Sequence, residues 1–279
     1  MKPCITFASD FGLVDEFVGV VHAVLIRLAP ECHVVDLSHG IPPHDVGAGA
    51  RLLLRSIRWM PDGALMAVVD PGVGGARRAL GVITAERPGL LLVGPDNGVL
   101  WPALEELGGA TAAVHLARPA LATDGSSHAG RTFDGRDVFA PAAANWCNGA
   151  SLAELGEGLE LRTLARLPSP EVAIGDDWLS AEVTWIDRFG NVELSAHAEQ
   201  CRGLGPRTEV TIRRADPTAS PCLWSEAVVV TSFSDLASGR LGLIADSSGM
   251  AALVMNQRSA ASTLGVRIGD RVLLRTVSG

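Results

Sequence analysis

The sequence predicts an α/β N-terminal domain with a largely parallel sheet, followed by a smaller all-β C-terminal domain that is a sandwich or a barrel. Up to residue 165, short apolar runs alternate with segments of helical period, which is typical of strand–helix units. After residue 178, short β-rich runs follow one another with turns between them. The segment 166–178 contains a Pro-Ser-Pro run and a Gly-Asp-Asp run, which indicate a linker. We therefore predict domains at residues 1–165 and 179–279.

The individual elements follow from their periodicity. Cys4 to Ser9 is a short apolar strand, and apolar residues from Phe17 to Leu28 recur at i, i+3, i+4, i+7, i+8 and i+11, which predicts an amphipathic helix. The further N-terminal strands are predicted at 33–37, 64–69, 80–84 and 90–93, and the further helices at 46–59 and 138–146. In the C-terminal domain, strands are predicted at 181–186, 209–212, 227–231, 252–255 and 272–274.

Composition and charge exclude several classes of function. The chain has 279 residues and a formal net charge of −8, which argues against binding to nucleic acid or to an anionic membrane. No apolar run reaches the ~18 residues of a membrane span, and the N-terminus lacks the layout of a signal peptide. Five cysteines without a C-x-x-C pair predict reduced thiols in a cytoplasmic protein, with no zinc site. Lys2 is the only lysine and lies too near the terminus to serve a Schiff base or a P-loop.

Four polar clusters fall at the predicted carboxyl ends of strands, where open α/β sheets bind their ligands. They are Ser9-Asp10 and residues 39–45, 70–78 and 95–98. A helix cap or a turn explains each cluster alone. Four clusters at one edge of a sheet favour a binding site.

The loop 70–78 is the most informative of these clusters. Asp70 lies seven residues before the pair Arg77-Arg78. A carboxylate beside a guanidinium stays ionised and can orient water. A structural ion pair that holds the loop shut explains the same spacing.

The segment 132–141 is the second dense stretch. Asp137 is expected to be the N-cap of the helix that follows. Asp134 lies in the turn before that helix and is freer to face a cavity.

In the C-terminal domain, residues 187–191 indicate a turn that leaves a strand. Phe189 can stack on a planar ring, and Asn191 offers a donor and an acceptor to the edge of a base. A plain turn is the alternative. Residues 247–249 and 256–260 can supply backbone groups to the same ligand.

The histidines divide into two groups. His39 and His44 lie in a loop at a strand end and are candidates for a site. His22 and His115 lie within helix and strand patterns and are predicted to be structural. The spacing between these histidines and nearby acids gives no metal signature.

Together these motifs resemble those of the S-adenosylmethionine (SAM) hydroxide adenosyltransferases, which are relatives of fluorinase and chlorinase. The similarity runs in order along nearly the whole chain. The matching segments are Ser9-Asp10-Phe11-Gly12 with Asp15, Asp36 to His39 with Ile41-Pro42-Pro43, Val68 to Gly74 with Arg77-Arg78, Gly94 to Gly98, Gly135 to Pro141, Asp187 to Asn191, and Ser247 to Gly249. The combination of Val-Val-Asp-Pro-Gly-Val-Gly with Gly-Pro-Asp-Asn-Gly is specific.

The resemblance implies a homotrimer whose active sites lie between the N-terminal domain of one subunit and the C-terminal domain of the next. It implies that water or hydroxide attacks C5′ of SAM and releases adenosine and L-methionine, with SAM as substrate and without a cofactor or a metal. Asp70 and Arg77 match two members of the family's water-activating Asp–Arg–His set. The implied substrate-binding residues are Asp10 for the ribose hydroxyls, Phe189, Asn191, Phe233 and the backbone of Ala260 for adenine, and Asp187 and Ser247 for the methionine end.

The third member of the water-activating set does not match, because Asp134 occupies the position of the histidine. Asp134 replaces the histidine, or His128 or His44 takes its place, or the protein binds SAM and turns it over poorly. We favour the first interpretation, since two carboxylates beside one water provide a general base.

Two other functions are alternatives. In the halogenases of this fold a tyrosine occupies the position of Asp70. The present chain has no tyrosine, and a carboxylate at this position would repel a halide. The second alternative is a non-catalytic SAM- or adenosine-binding protein, which the missing histidine favours.

Overall fold

The structure is a computed structural model that describes residues 2–118, 132–213 and 224–277. The chain divides into two units, Met1–Leu167 and Pro168–Gly279. The division falls inside the segment 166–178 that the sequence indicates as a linker. Every helix within the described ranges is too short or too polar to cross a membrane. Cys4, Cys32, Cys147 and Cys201 are free thiols, and Cys222 lies outside the described residues.

The first unit is built on a seven-stranded sheet. Its strands are β1 (Cys4–Ser9), β2 (His33–Ser38), β3 (Gly63–Val68), β4 (Ala79–Thr84), β5 (Leu90–Pro95), β6 (Ala110–Leu116) and β7 (Gly156–Gly158). Their order in the sheet is β2-β1-β3-β5-β4-β6-β7. β2, β1, β3 and β5 pair in parallel, whereas the β5–β4, β4–β6 and β6–β7 pairs are antiparallel. β6 therefore runs in the direction of the parallel group, and the predicted α/β domain with a largely parallel sheet is confirmed.

Within the described residues, this unit contains three helices that the sequence predicts and two short ones that it does not. They are α1 (Phe17–Leu28), α2 (Val46–Ser56), α3 (Trp101–Glu106), α4 (Ala140–Cys147) and α5 (Leu152–Leu155). Val21 and Leu25 of α1 share a core with Ile5 and Phe7 of β1 and with Ala143 of α4. α2 packs against α3.

The order of the parallel strands brings the four polar clusters to one edge. Ser9-Asp10 lies at the end of β1, residues 39–45 follow β2, residues 70–78 follow β3, and residues 95–98 lie at the end of β5. Since these strands are neighbours and run in the same direction, their carboxyl ends lie side by side.

The helix predicted at 138–146 has an irregular beginning. Gly135–Phe139 is a π-helical turn, in which the N–H of Ala140 donates to the carbonyl of Gly135, five residues back. α4 continues directly from this turn. The prediction that Asp137 is an N-cap is wrong, because Asp137 lies inside the turn and its carboxylate pairs with Arg136.

The second unit is a closed β-barrel, so the sandwich alternative is wrong. Its strands are β8 (Ala173–Ile174), β9 (Trp178–Ile186), β10 (Val192–His197), β11 (Arg207–Arg213), β12 (Trp224–Val229), β13 (Leu241–Ala245), β14 (Met250–Met255) and β15 (Arg271–Thr276). The order is β10-β14-β13-β12-β11-β15-β9-β8, and an additional β10–β9 pairing closes seven of these strands into a ring. A short helix, α6 (Ala260–Leu264), follows β14. Val183, Leu194, Val210, Leu253 and Val272 contribute to the apolar core of the barrel.

Candidate active site

The first unit contains a cleft of about 240 Å³ at the carboxyl edge of its parallel strands. The cleft combines a wall of phenylalanine rings with three carboxylates. Its lining residues are Asp10, Phe11, Phe17, Pro43, His44, Val68, Asp70, Val73, Thr132, Phe133, Asp134 and Gly135. The predicted residues Asp10, Asp70 and Asp134 therefore share one cleft.

Asp10 is held at the rim of this cleft by the loop that follows β2. Its Oδ2 accepts a hydrogen bond from the backbone N–H of His44 at 2.8 Å. His44 has a positive φ of 66°, which is strained for a residue other than glycine. The strained backbone directs the His44 N–H to the carboxylate. His44, predicted as a site candidate, lines the cleft.

Arg77 joins the two other carboxylates of the cleft. Its Nε lies 2.9 Å from Asp70 Oδ1, and a second nitrogen of the guanidinium contacts Asp70 Oδ2. The same guanidinium lies 2.6 Å from Asp134 Oδ2. The side chains of Arg77, Asp70 and Asp134 are 13%, 6% and 4% exposed. Asp70, Arg77 and Asp134 thus form one buried ion-pair network.

Arg118 is a second cation in this network that the sequence analysis did not identify. It lies just after β6 and contacts Asp134 Oδ1. Asp134 therefore lies between two guanidinium groups, from Arg77 and Arg118. A single arginine after a strand carries no sequence pattern, and only the tertiary structure reveals this contact.

The protonation of Arg77 is fixed by its partners. Burial disfavours the charged guanidinium, but the hydrogen bonds with Asp70 and Asp134 outweigh it and raise the pKa of Arg77 above its ordinary value. Arg77 is therefore a permanent positive charge beside the two cleft carboxylates Asp70 and Asp134.

Other polar residues at the carboxyl edge of the parallel strands bond to neighbouring loops. Arg78 lies 2.7 Å from Asp96 and 2.9 Å from the hydroxyl of Thr163. Asn97 donates to the carbonyl of Val69 at 2.8 Å. These contacts fasten the loops after β3 and β5.

The second unit contains its own cleft, of about 480 Å³. The predicted adenine-binding side chains Phe189, Asn191 and Phe233 line it. The complete lining is Phe189, Asn191, Phe233, Met255, Gln257, Arg258 and Ser259. Phe189 is 72% exposed and Phe233 46% exposed, so both rings present apolar surface to solvent.

Asp187 organises the turn that carries two of these side chains. Its Oδ1 accepts from the N–H groups of Phe189 (2.8 Å) and Asn191 (2.9 Å), and its Oδ2 accepts from Asn191 Nδ2 (2.7 Å). A carboxylate only accepts hydrogen bonds, so the amide nitrogen of Asn191 faces Asp187. Gly190 has a φ of +83°, and a Cβ there would lie 2.0 Å from Ser259 Oγ. This close approach requires glycine.

Three further residues that the sequence predicts for the site are not among those that line the two clefts. Ala260 begins α6, is fully buried, and lies beside the Asp187 turn, because the N–H of Ala261 donates to the carbonyl of Gly190 at 2.9 Å. Ser247 is exposed in the turn between β13 and β14 and is not among the residues that line the cleft. His128, the alternative to Asp134, lies outside the described residues.

Part of the lining of each cleft gives no signal in the sequence. Met255 and Arg258 of the second cleft were not singled out for their side chains, nor were Phe17 and Phe133 of the first. Phe133 packs edge to face on Phe11 and Phe17, and the rings of Phe11 and Phe17 are tilted to each other; the centroids are 5.3–5.8 Å apart. Isolated aromatic residues in three different segments give no sequence signal until the fold brings them together.

Comparison with known protein families gives a match in each of the two units. Residues 5–156 match the SAM hydroxide adenosyltransferase N-terminal domain, and residues 181–273 match the C-terminal domain of the same family. The chain belongs to the SAM hydroxide adenosyltransferase family.

The family contains full-length relatives of this chain. The chain is 44% identical to the (R)-S-adenosyl-L-methionine hydrolase of Salinispora tropica, over 99% of this chain and 98% of the relative. It is 36% identical to the enzyme of the same name from Thermus thermophilus, over 98% and 100%. A fluorinase from an Actinoplanes species is more distant, at 25% identity. The crystal structure of an uncharacterized conserved protein from Thermotoga maritima superposes with a TM-score of 0.85, at 28% identity over 97% of this chain and 99% of that one.

The buried network predicts a large stability effect at Arg77. Arg77→Met should lower the free energy of unfolding by about 3–5 kcal/mol, because it leaves two buried carboxylates without their shared cation. Denaturant unfolding followed by circular dichroism measures the loss. Arg58→Met is the matched control, because Arg58 pairs with Glu106 at the surface and is 62% exposed. A loss at Arg77 no larger than that at Arg58 would contradict the prediction.

Proposed function

We propose that this protein is an enzyme that hydrolyses SAM by attack of water at C5′, giving adenosine and L-methionine. Membership of the family and the names of the full-length relatives support this reaction. Those names specify the (R) epimer at sulfur, so (R)-SAM is the proposed substrate. The observation in the structure that carries the proposal is the buried Arg77, which joins Asp70 and Asp134, two carboxylates that line one cleft together with Asp10.

The reaction needs few groups from the protein. A water oxygen forms a bond to C5′ while the bond from C5′ to sulfur breaks, and the electron pair of that bond neutralises the sulfonium. The water loses a proton to a base, and methionine leaves as a neutral thioether. Alignment of water behind C5′ can lower the barrier by ~7–11 kcal/mol. Arg77 favours the hydroxide form of that water electrostatically. No cofactor or metal takes part in the proposed step.

The roles proposed for the first cleft follow the family resemblance and the charges present. Asp10 holds the ribose hydroxyls. Asp70 and Asp134 flank the water, with Arg77 between them, and Asp134 replaces the family's histidine as the base. Arg118 holds Asp134 from its other side.

The roles proposed for the second cleft concern adenine and methionine. The exposed rings of Phe189 and Phe233 stack on adenine, and the backbone of Ala260 contributes to the same pocket. Since the Asn191 amide nitrogen faces Asp187, its oxygen is oriented to accept from the exocyclic amine of adenine. Asp187 and Ser247 are proposed to hold the methionine end.

We further propose that the protein is a cytoplasmic homotrimer, in which the first cleft of one subunit and the second cleft of its neighbour form one active site. The charged groups proposed for chemistry and the aromatic groups proposed for binding lie in different units, and the family resemblance implies that the two come from neighbouring subunits. No nucleic acid or membrane partner is proposed.

The reaction itself is tested by incubation of the purified protein with (R)-SAM in oxygen-18 water, with and without chloride. We expect adenosine that carries the label at its 5′ hydroxyl, together with unlabelled methionine, detected by mass spectrometry. A product halogenated at C5′ would instead establish a halogenase. Intact SAM despite measurable binding would establish a binding protein and would contradict the proposed activity.

The role of Asp134 is tested by Asp134→Asn, which keeps the shape of the side chain and removes its ability to accept a proton. We expect kcat to fall about 10²–10⁴-fold, while SAM affinity measured by calorimetry changes little. Asp137→Asn, in the adjoining π-helical turn, is the matched control and should retain turnover. Unchanged turnover of Asp134→Asn across the pH range would show that Asp134 is not the base.

The shared active site is tested by mixing two inactive variants, Asp70→Asn and Phe189→Ala, by co-expression. In a cyclic trimer with shared sites, mixed trimers contain one intact site, so about one quarter of the wild-type activity should return. Co-expression products as inactive as each variant alone would place both clefts of a site on one subunit. Light scattering measures the molar mass of the oligomer, and so tests the trimer independently of activity.

A further inference from the structure

A histidine–aspartate–histidine cluster lies outside the lining of the cleft. His22 projects from α1, Asp36 lies in β2, and His39 follows β2. His22 Nε2 lies 2.8 Å from Asp36 Oδ1, and His39 Nε2 lies 3.0 Å from the same oxygen. The three ligand atoms all lie within 4.8 Å of one another. The elements that carry them are separated in sequence, which is why spacing alone gave no metal signature.

His39 is the buried member of this cluster, which we call the His–Asp–His cluster. Its side chain is 3% exposed, and its Nδ1 lies 2.7 Å from the hydroxyl of Ser9. Its Nε2 is fully buried and has no hydrogen-bond partner within the described ranges, although Asp36 lies close to it. The angle between them therefore does not suit a hydrogen bond. In the tautomer in which Nδ1 donates to Ser9, a lone pair of Nε2 faces a carboxylate, an arrangement that a cation between them would stabilise.

Two imidazoles and one carboxylate are a donor set typical of zinc and other first-row divalent ions. Zinc bonds of 2.0–2.1 Å in a tetrahedron require ligand atoms about 3.3 Å apart. The distances of 2.8 Å and 3.0 Å to Asp36 therefore need to widen by a few tenths of an ångström. Asp36 and His22 are 42% and 30% exposed, so their side chains have room to move.

We propose that His22, Asp36 and His39 bind one zinc ion or a similar divalent transition metal, with water at the remaining positions. The ion would fasten α1 to the end of β2. It would also support the loop of Asp10, because the N–H of Gly12 donates to the carbonyl of His39 at 2.9 Å. The hydroxyl of Ser9 is the outer contact that orients the buried imidazole. Metal binding here is separate from the proposed reaction, and either can fail without the other.

The test is metal binding by untagged protein freed of metal with a chelator. One equivalent of Co²⁺ should give the visible absorption of imidazole-bound cobalt, and Zn²⁺ should displace it, with affinity measured by calorimetry. His22→Gln and Asp36→Asn should each lower the affinity by more than about tenfold, and Ser9→Ala by about tenfold. His33→Gln is the control, because His33 is an exposed histidine of the same strand and should leave binding unchanged.

Thermal unfolding supplies a second readout. Zn²⁺ should raise the Tm of the wild type and of His33→Gln, and should leave that of His22→Gln unchanged. Circular dichroism establishes that each variant is folded. Absence of Co²⁺ and Zn²⁺ binding to the wild type would overturn the proposal, and so would equal binding by the folded His22→Gln and Asp36→Asn variants.

Discussion

The buried network around Arg77 is the interaction on which the first cleft depends. Burial of carboxylates without a cation is strongly unfavourable, so the loop after β3 and the turn before α4 must close around the same guanidinium. Arg118 adds a third segment, from the end of β6. The position of Asp134 relative to Asp70 is therefore set by charge compensation between segments that are distant in sequence. The ion pairs therefore also fix the position of any water that these carboxylates bind.

The proposed reaction needs charged groups and a binding surface for adenine, and each of the two clefts supplies one of these. The first supplies charges in a buried setting, and the second supplies exposed aromatic rings and an oriented amide. Among the described residues, His44 and Gln257 are the residues other than glycine with positive φ, at 66° and 55°. Each lines one of the clefts. Strained backbone of this kind concentrates at ligand-binding sites, where the surrounding structure must enforce it.

Much of the fold could be predicted from the sequence, because its first half has strong periodicity. α1 spans the predicted Phe17–Leu28, and the strand-end clusters share one edge as expected. The closure of the barrel could not be predicted, because the ring depends on pairs between strands that are distant in sequence, such as β10 with β14 and β9 with β15, which no local pattern specifies. In the candidate site, motif similarity singled out Asp70, Arg77 and Asp134, which the structure brings into contact. Arg118 and the His–Asp–His cluster arise from tertiary contacts between single residues, which carry no spacing signal.

The π-helical turn Gly135–Phe139 holds one residue more than an α-helix would in the same span. Deletion of a single residue within it would therefore leave a regular helix of the same length that continues into α4. Asp134, which lies before the turn, would keep its contacts with Arg77 and Arg118, whereas the side chains inside the turn would take new directions around the helix axis. The extra residue thus sets the directions of Arg136 and Asp137, and not the position of Asp134.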